Sequence, residues 1–391
     1  MFFYGLCDLP WWGNIIVLMA FTQGTIAAVT LYLHRYQAHR ALTLHPLVGH
    51  VFRMWLWLTT GMVTKEWTAI HRKHHAKCET PDDPHSPQVL GLPTVMWQGA
   101  ELYRKEARNK ETMVRYGQGT PEDWMEAHVY SHSKWGIFVM LATNLILFGI
   151  PGVTIWALQM AWIPFFAAGI VNGVGHFWGY RNFECPDAAR NIIPFGIFIG
   201  GEELHNNHHT YPTSAKFSVK WWEFDMGWLW IRALEMFGLA KAKRRPPVPE
   251  LVPGKTQIDM ETVKAVILNR FQVMARFSNE VLVPTLMQEK EKVSPSEASM
   301  WSKIKTALVR EKSLLDVSTK ERLANFLSKN NTVQQVYQFK ERLQSLWNET
   351  NMQESDLLES LQKWCAEAEA TRIAALKEFA MYLRSFTLKT A

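Results

Sequence analysis

Residues 12–39 read WGNIIVLMAFTQGTIAAVTLYLHRYQAH. From Trp12 to Leu33 there is no charged residue, and about 20 apolar residues suffice to cross a bilayer. The residue that follows is His34, with His39 close behind, so an apolar segment of membrane length ends directly on a pair of imidazoles.

A second uncharged stretch runs from Trp135 to Tyr180. It is long enough for two crossings, broken near Gly149-Ile150-Pro151-Gly152 or at Gln159. We therefore expect three spans, at about 12–33, 136–156 and 158–178. A fourth apolar run, Leu47 to Val63, is shorter and carries His50 and Arg53, and it reads as an interfacial helix. No Lys or Arg precedes Arg35 and none lies between Lys134 and Arg181. The positive-inside rule then places 34–134 and 178–391 in the cytoplasm and the N-terminus outside. No basic region or small-residue cleavage site precedes the first span, so no cleaved signal is expected.

Whole-chain averages hide this organisation. At 391 residues, 48% hydrophobic, mean hydropathy −0.13 and net charge +6, the chain has the composition of a soluble protein. Yet all 14 histidines lie at or before His209. Two compositions are joined: a membrane domain over 1–245 and, after a linker at 246–260, a soluble helical extension over 261–391. Aromatics at 13% exclude a disordered chain. Four scattered cysteines (Cys7, Cys78, Cys185 and Cys365) exclude a disulfide scaffold, a structural zinc and an iron–sulfur cluster. The expected fold class is all-α: membrane helices capped by a cytoplasmic helical metal domain, plus the C-terminal helical extension.

The histidines fall into groups. His34-Arg-Tyr-Gln-Ala-His39 is followed by His71-Arg-Lys-His74-His75 and His205-Asn-Asn-His208-His209. Residues at i, i+3 and i+4 share a helix face, so each HxxHH brings three imidazoles together. Neutral imidazole is the commonest nitrogen ligand of iron, zinc and copper, and eight of them suffice for two metals. His176, with Asn172 one turn earlier, stands at the inner end of the last span and is a ninth candidate. Convergence fixes the topology as well. If 47–63 crossed the bilayer, the first two boxes would face opposite sides and could not share a site.

Other histidines carry less. His45 and His50 line the interfacial helix, and His128 and His132 form an i, i+4 pair without a nearby acid or thiol. His85 follows Asp82-Asp83-Pro84 and stands as an outer partner of the ligands. Glu202, Glu203, Asp82 and Asp83 are candidates to orient ligand imidazoles by accepting their distal N–H.

At these residues the chain resembles the membrane fatty-acid desaturase family, in particular its stearoyl-CoA desaturase-like branch, including bacterial acyl-CoA Δ9 enzymes. The branch is marked by HRxxxHR, HRxHH and HNxHH boxes, met here at His34–Arg40, His71–His75 and His205–His209. The likeness extends to Glu79-Thr80, Asp82-Asp83-Pro84-His85, Asn172, His176-Phe-Trp-Gly-Tyr-Arg181 and Gly201-Glu202, and covers about residues 12–240. It implies a non-haem centre of two Fe2+ ions with O2 as co-substrate. The implied ligands are His34, His39, His71, His74, His75, His176, His205, His208 and His209, with Asn172 acting through water. It further implies a cis double bond, at Δ9, placed in a long saturated acyl chain, and an integral protein of the bacterial inner membrane.

For the substrate, the resemblance points to Trp67, Arg104, Lys105 and Trp178, with Trp55 and Trp57 as further tunnel-wall candidates. Animal members have four spans, and this chain starts within the equivalent of the second. They carry Trp-x-Arg-Asp before the second box to help hold coenzyme A. Here that place reads Trp67-Thr-Ala69-Ile70, so acyl-CoA and lipid-bound acyl chains both stay open. No histidine after His209 could hold a fused haem. The implied electron donor is therefore a separate ferredoxin, cytochrome b5-like protein or flavin/iron–sulfur reductase, steered to a basic surface at Arg72, Lys73 and Lys77.

Beyond the basic, proline-rich run Lys241–Glu250 the helical period returns. Leu361, Trp364, Cys365, Ala368, Leu376, Phe379, Ala380 and Leu383 fall on one stripe of a helix expected over 361–386. Breaks are expected at Pro284, Pro295 and Asn330-Asn331. The 361–386 segment resembles helical C-terminal segments of insertion-element transposases, a likeness from which no function is read. Basic and acidic residues alternate here, so no nucleic-acid surface is expected.

Among rival readings, a diiron fatty-acid or alkane hydroxylase would use the same boxes. A metal carrier would need ionisable groups inside the spans, and there are none from Trp12 to Leu33 or from Trp135 to Gly175. A zinc hydrolase would need HExxH, which does not occur.

Overall fold

The computed structural model describes residues 3–291, 298–348 and 353–388. Two compact units emerge: Met1–Arg181 with Asp187–Pro246, and Asn182–Pro186 with Pro247–Ala391. Helices dominate both, and the few strands are short pairs.

In the first unit, helix Trp11–Ala27 passes without a break into the wider π-helical run Ala28–Ala38. Together they make one apolar rod of 28 residues, enough to traverse roughly 30 Å of hydrocarbon. The second apolar rod, Ser133–His176, folds back on itself. Gly149 has φ +65°, where a Cβ would sit 2.5 Å from the Phe3 carbonyl oxygen, so only glycine turns the chain there without strain. Asn144 Nδ2 donates to Gln159 Oε1 at 3.4 Å, and Trp156 Nε1 donates to the Ile137 carbonyl at 3.2 Å. In a straight helix residues 137 and 156 would stand roughly 28 Å apart, so the two arms run side by side. Of the two breaks left open by the sequence, the turn falls at Gly149 and not at Gln159, so the arms part earlier than the expected bounds 136–156 and 158–178.

Helix Pro46–Thr59 has 14 residues and rises only about 21 Å, short of a crossing. Its Arg53 forms ion pairs with Asp123 at 2.6 Å and Glu126 at 2.8 Å. Helix Thr64–Lys77 carries the second histidine box, and the short helix His205–Thr210 the third. Buried Arg35 ties the first box to the third. Its guanidinium pairs with Asp225 at 2.9 Å and donates to the carbonyls of Ala215 and Gly200 at 2.7 and 3.1 Å. Strand Leu42–Leu44 pairs antiparallel with Ala240–Ala242, Leu42 facing Ala242.

The second unit is a helical bundle around Phe277, Phe339, Trp364 and Phe379. The stripe expected on one helix over 361–386 is split between two, Glu354–Ala370 and Ala374–Arg384, which pack against each other. Thr371 leaves helical geometry with ψ 158°, so the periodicity runs across a turn lacking Gly or Pro. All eight stripe residues are buried nonetheless. The break expected at Pro284 does not occur: helix Arg270–Phe277 passes through the wider π-helical turn Ser278–Leu282 into Val283–Lys290, with Leu282 itself in helical geometry, whereas helix Asn331–Asn348 does start at the Asn pair. Pro295 lies outside the described residues. Strand Glu250–Leu251, next to the basic run, pairs with Phe386–Thr387.

Trp364 is 1% exposed, contacts the rings of Phe277, Phe339 and Phe379, and donates its indole N–H to the Phe339 carbonyl at 2.9 Å. Trp364→Ala should cost this unit about 3–5 kcal/mol. Amide hydrogen exchange of the intact chain would show it as lost protection in Asn331–Asn348 and Glu354–Ala370, with the membrane helices unchanged.

Candidate metal centre

The nine histidines singled out by sequence gather into two groups. His34, His39, His71, His75 and His208 form one, and His74, His176, His205 and His209 the other, with ligand atoms in each within 4.8 Å of one another. The i, i+3, i+4 spacing of the second box is what divides it. His71 and His75 turn to the five-histidine group while His74 joins the four-histidine group.

Nitrogens face one another at short range. His34 Nε2 lies 3.0 Å from His208 Nε2, which is 2.9 Å from His75 Nε2. His39 Nε2 is 2.8 Å from His71 Nε2, and His176 Nε2 is 2.9 Å from His205 Nε2. Two nitrogens each about 2.1 Å from one ion, at a right angle, stand about 3.0 Å apart.

Carboxylates dictate which nitrogen faces inward. His34 Nδ1 donates to Glu202 at 2.7 Å, His74 Nδ1 to Asp83 at 3.0 Å, His176 Nδ1 to Glu79 at 3.1 Å and His209 Nδ1 to Asp187 at 3.1 Å. A ring that gives its Nδ1 proton outward presents a bare lone pair at Nε2. The Nε2 atoms of His74 and His209 are buried with no hydrogen-bond partner among the described residues. Burial pushes the pKa of His71, His75, His205 and His208 well below the usual value, that of His39 down to about 3 and that of His209 to about 4. These imidazoles are neutral at pH 7, the form that ligates. The donor set, the spacing and the orphaned inward nitrogens fit two metal ions.

Of the four orienting carboxylates expected, Glu202 and Asp83 are in that position. Glu203 instead accepts backbone N–H groups of Phe198, Ile199 and Gly201, and Asp82 pairs with Lys77 at 3.8 Å. Glu79 and Asp187 do the work not assigned to them from sequence. Glu79 lies in a motif already noted and has φ +62°, but nothing local marks Asp187. His85 packs its ring 4.4 Å from that of His74. His128 Nδ1 donates to the Trp124 carbonyl at 3.0 Å, and His45 caps helix Pro46–Thr59 by accepting from the Leu47 N–H.

A cavity of 630 Å³ opens beside the first group. Buried His34, His71 and His205 line its inner part, and the exposed cations Arg104, Arg108 and Lys134 line its outer part. Asn172 lines it too, as does Trp67, stacked 4.9 Å from His71. Of the other expected substrate contacts, Lys105 and Trp178 lie outside this lining, and Trp178 is 64% exposed. Trp55 and Trp57 instead donate to Thr25 and to the His132 carbonyl, while Trp162 and Phe166 form wall that sequence did not reveal. The three cations of the expected basic surface are half-buried and each has partners within the unit. Arg72 donates to the carbonyls of Gln37, Ala38, Tyr116 and Gln118, Lys73 pairs with Glu106 at 2.8 Å, and Lys77 with Asp82.

The profile of the fatty acid desaturase family matches residues 9–241, more than half of the chain, and the chain belongs to that family. Within it the protein is Δ9 desaturase-like, an oxidoreductase of lipid metabolism. It is 29% identical to the sn-1 stearoyl-lipid 9-desaturase of Synechocystis sp. over 238 residues, 60% of this chain and 72% of that protein. Identity to Delta-9 acyl-lipid desaturase 1 of Arabidopsis thaliana is 26%, covering 63% and 81%. Identity to the sn-2 palmitoyl-lipid 9-desaturase of Nostoc sp. is 29%, covering 59% and 83%. Separately, residues 261–389, under half of the chain, are similar to a transposase family profile.

Removing an orienting carboxylate should weaken its own group selectively. Glu202→Gln is expected to lower metal affinity at the five-histidine group and Asp83→Asn at the four-histidine group, each by about 10- to 100-fold. Chelator competition on the purified chain, with metal counted per protein, measures both.

Proposed function

We propose that this chain is an O2-dependent desaturase that places a cis double bond at Δ9 of a long saturated acyl chain. In this reading His34, His39, His71, His75 and His208 hold one iron and His74, His176, His205 and His209 the other, with Asn172 contributing through water. Two irons so held would supply, with O2 and external electrons, the oxidising power that an unactivated methylene demands and that no side chain has. The observation that carries the proposal is one cavity whose lining joins buried His34, His71 and His205 to exposed Arg104, Arg108 and Lys134.

The residues of the cavity have separable tasks. Ile26, Val29, Ile70, Trp162, Phe166 and Val171 offer an apolar wall that holds a methylene chain and excludes water. Trp67, fixed by stacking on His71, limits how that chain lies against the histidines. Holding one C–C bond next to the oxidant converts an unselective reaction into a positional one. The exposed cations of the outer part suit an anionic head group. Relatives are named as acyl-lipid and stearoyl-lipid desaturases, and Ala69 and Ile70 are buried apolar residues where a coenzyme A contact would need polar ones. Both favour a lipid-bound acyl chain over acyl-CoA. Electrons come from a separate ferredoxin, cytochrome b5-like protein or flavin/iron–sulfur reductase. In the same reading the site lies on the cytoplasmic face of a bacterial inner membrane, an orientation that the Lys/Arg distribution supports.

Expression in a host lacking its own desaturase, followed by double-bond location in the extracted lipids, tests the reading. The wild type should yield Δ9-unsaturated chains, and His74→Ala, accumulated to the same level, none. Hydroxylated chains, or unchanged lipids from iron-loaded protein with a competent donor, would overturn it.

A further inference from the structure

The basic run Lys241-Ala-Lys243-Arg244-Arg245 takes no part in the metal centre, yet the first unit holds it in one place. It begins in the strand Ala240–Ala242 that pairs with Leu42–Leu44. The ladder continues beyond the strand. Lys243 N–H donates to the Ala41 carbonyl at 2.9 Å, and the Arg244 carbonyl accepts from the Ala215 N–H at 2.9 Å. Ala242 N–H donates to Glu235 at 2.7 Å. Ala240 and Ala242 turn inward against a core that contains Leu42, Leu44 and Ile231. The side chains of Lys241, Lys243, Arg244 and Arg245 are exposed, and none of the four forms an ion pair among the described residues. Glu235, on the helix before them, pairs instead with Arg232.

Apolar surface adjoins these cations. Helix Met226–Met236 buries Ile231 and leaves Leu229, Met236 and the following Phe237 exposed, the last two at 80% and 77%. Helix Pro46–Thr59 buries Leu56 and exposes Leu47, Val51 and Met54, an i, i+4, i+7 stripe. The His45 N–H donates to the Leu239 carbonyl at 2.8 Å, so the start of one helix stands beside the end of the other. The strand leaves from that junction. Arg245 also lies over the indole ring of Trp228, 5.0 Å from its centre, which keeps its guanidinium close to the helix. Amphipathic helices with uncovered apolar faces, joined by a ribbon of unpaired cations, suit the boundary between hydrocarbon and anionic head groups.

We propose that Lys241, Lys243, Arg244 and Arg245 form a seat for the phosphate of an anionic phospholipid, with Met236 and Phe237 against its acyl chains. Guanidinium groups match phosphate oxygens in pairs, and the two lysines add point charges beside them. None of these six residues is among those lining the cavity, so the lipid held here is a boundary lipid and not the substrate. A general excess of Lys and Arg would be met by cations anywhere on that side of the membrane. Backbone pairing instead sets these four at one edge. The proposal rests on the reading of the two apolar rods as membrane spans.

Native mass spectrometry of the intact chain in a neutral detergent tests it, with phosphatidylglycerol and phosphatidylcholine titrated separately. Wild type should bind the first phosphatidylglycerol at least about 10-fold more tightly than phosphatidylcholine, a preference that falls as salt is raised. With Lys241→Gln, Lys243→Gln, Arg244→Gln and Arg245→Gln combined, the two lipids should bind within about twofold of each other. The pairs Lys241→Gln with Lys243→Gln, and Arg244→Gln with Arg245→Gln, should be intermediate. Hydrogen exchange over Trp11–Ala27 and Thr64–Lys77 reports that the first unit stays folded. A control with the same loss of charge in the helical unit, combining Lys303→Gln, Lys305→Gln, Arg322→Gln and Lys329→Gln, should keep the wild-type preference. No preference in wild type, an undiminished one in the fourfold variant, or equal loss in the control would overturn the proposal and leave the membrane reading standing. A chain that stays monodisperse without detergent would overturn both.

Discussion

Nine imidazoles, seven buried and those of His39 and His75 half-buried, with nitrogens directed at two small regions, are the constraint around which the first unit is organised. Buried polar atoms facing each other without a proton between them are unfavourable, and a cation placed among them reverses the sign. The outer nitrogens decide which state the ring is in. Glu202, Asp83, Glu79 and Asp187 each take an Nδ1 proton and leave Nε2 bare toward the interior. Without those four carboxylates the rings could rotate or change tautomer, and the same histidines would be only a polar core.

The arginines that follow histidines in the first two boxes serve this arrangement indirectly. Arg35 is fully buried against Asp225, and Asp225 in turn accepts the N–H groups of Phe217 and Trp228. That pairing holds the end of the first membrane rod against the segment that leads to and from the third box. Arg72 reaches back from the second box to the Gln37 and Ala38 carbonyls of the first. A buried ion pair contributes little net stability by itself, but breaking one leaves a charge unpaired, so such pairs enforce one arrangement. Here that arrangement brings three remote boxes together.

Much of this was legible in the sequence because its signals are local. The HxxHH spacing places imidazoles on one helix face, the uncharged runs mark the rods, and Gly149-Ile150-Pro151-Gly152 marks the hairpin. Signals that depend on the tertiary fold were not legible. Asp187 is one acid among 36 Asp and Glu, and its partner His209 is remote in sequence. The partners of Arg72, Lys73 and Lys77 were not legible either, because the Gln37, Ala38, Tyr116 and Gln118 carbonyls and Glu106 are brought to the second box only by the fold. The 361–386 stripe failed as a single helix because its period happens to continue across Thr371.

Anomalous X-ray diffraction at the iron edge, from crystals of the intact iron-loaded protein, tests the central claim most directly. The account predicts two peaks per chain, one among His34, His39, His71, His75 and His208 and the other among His74, His176, His205 and His209. A single peak per chain, or peaks away from these histidines, would contradict it.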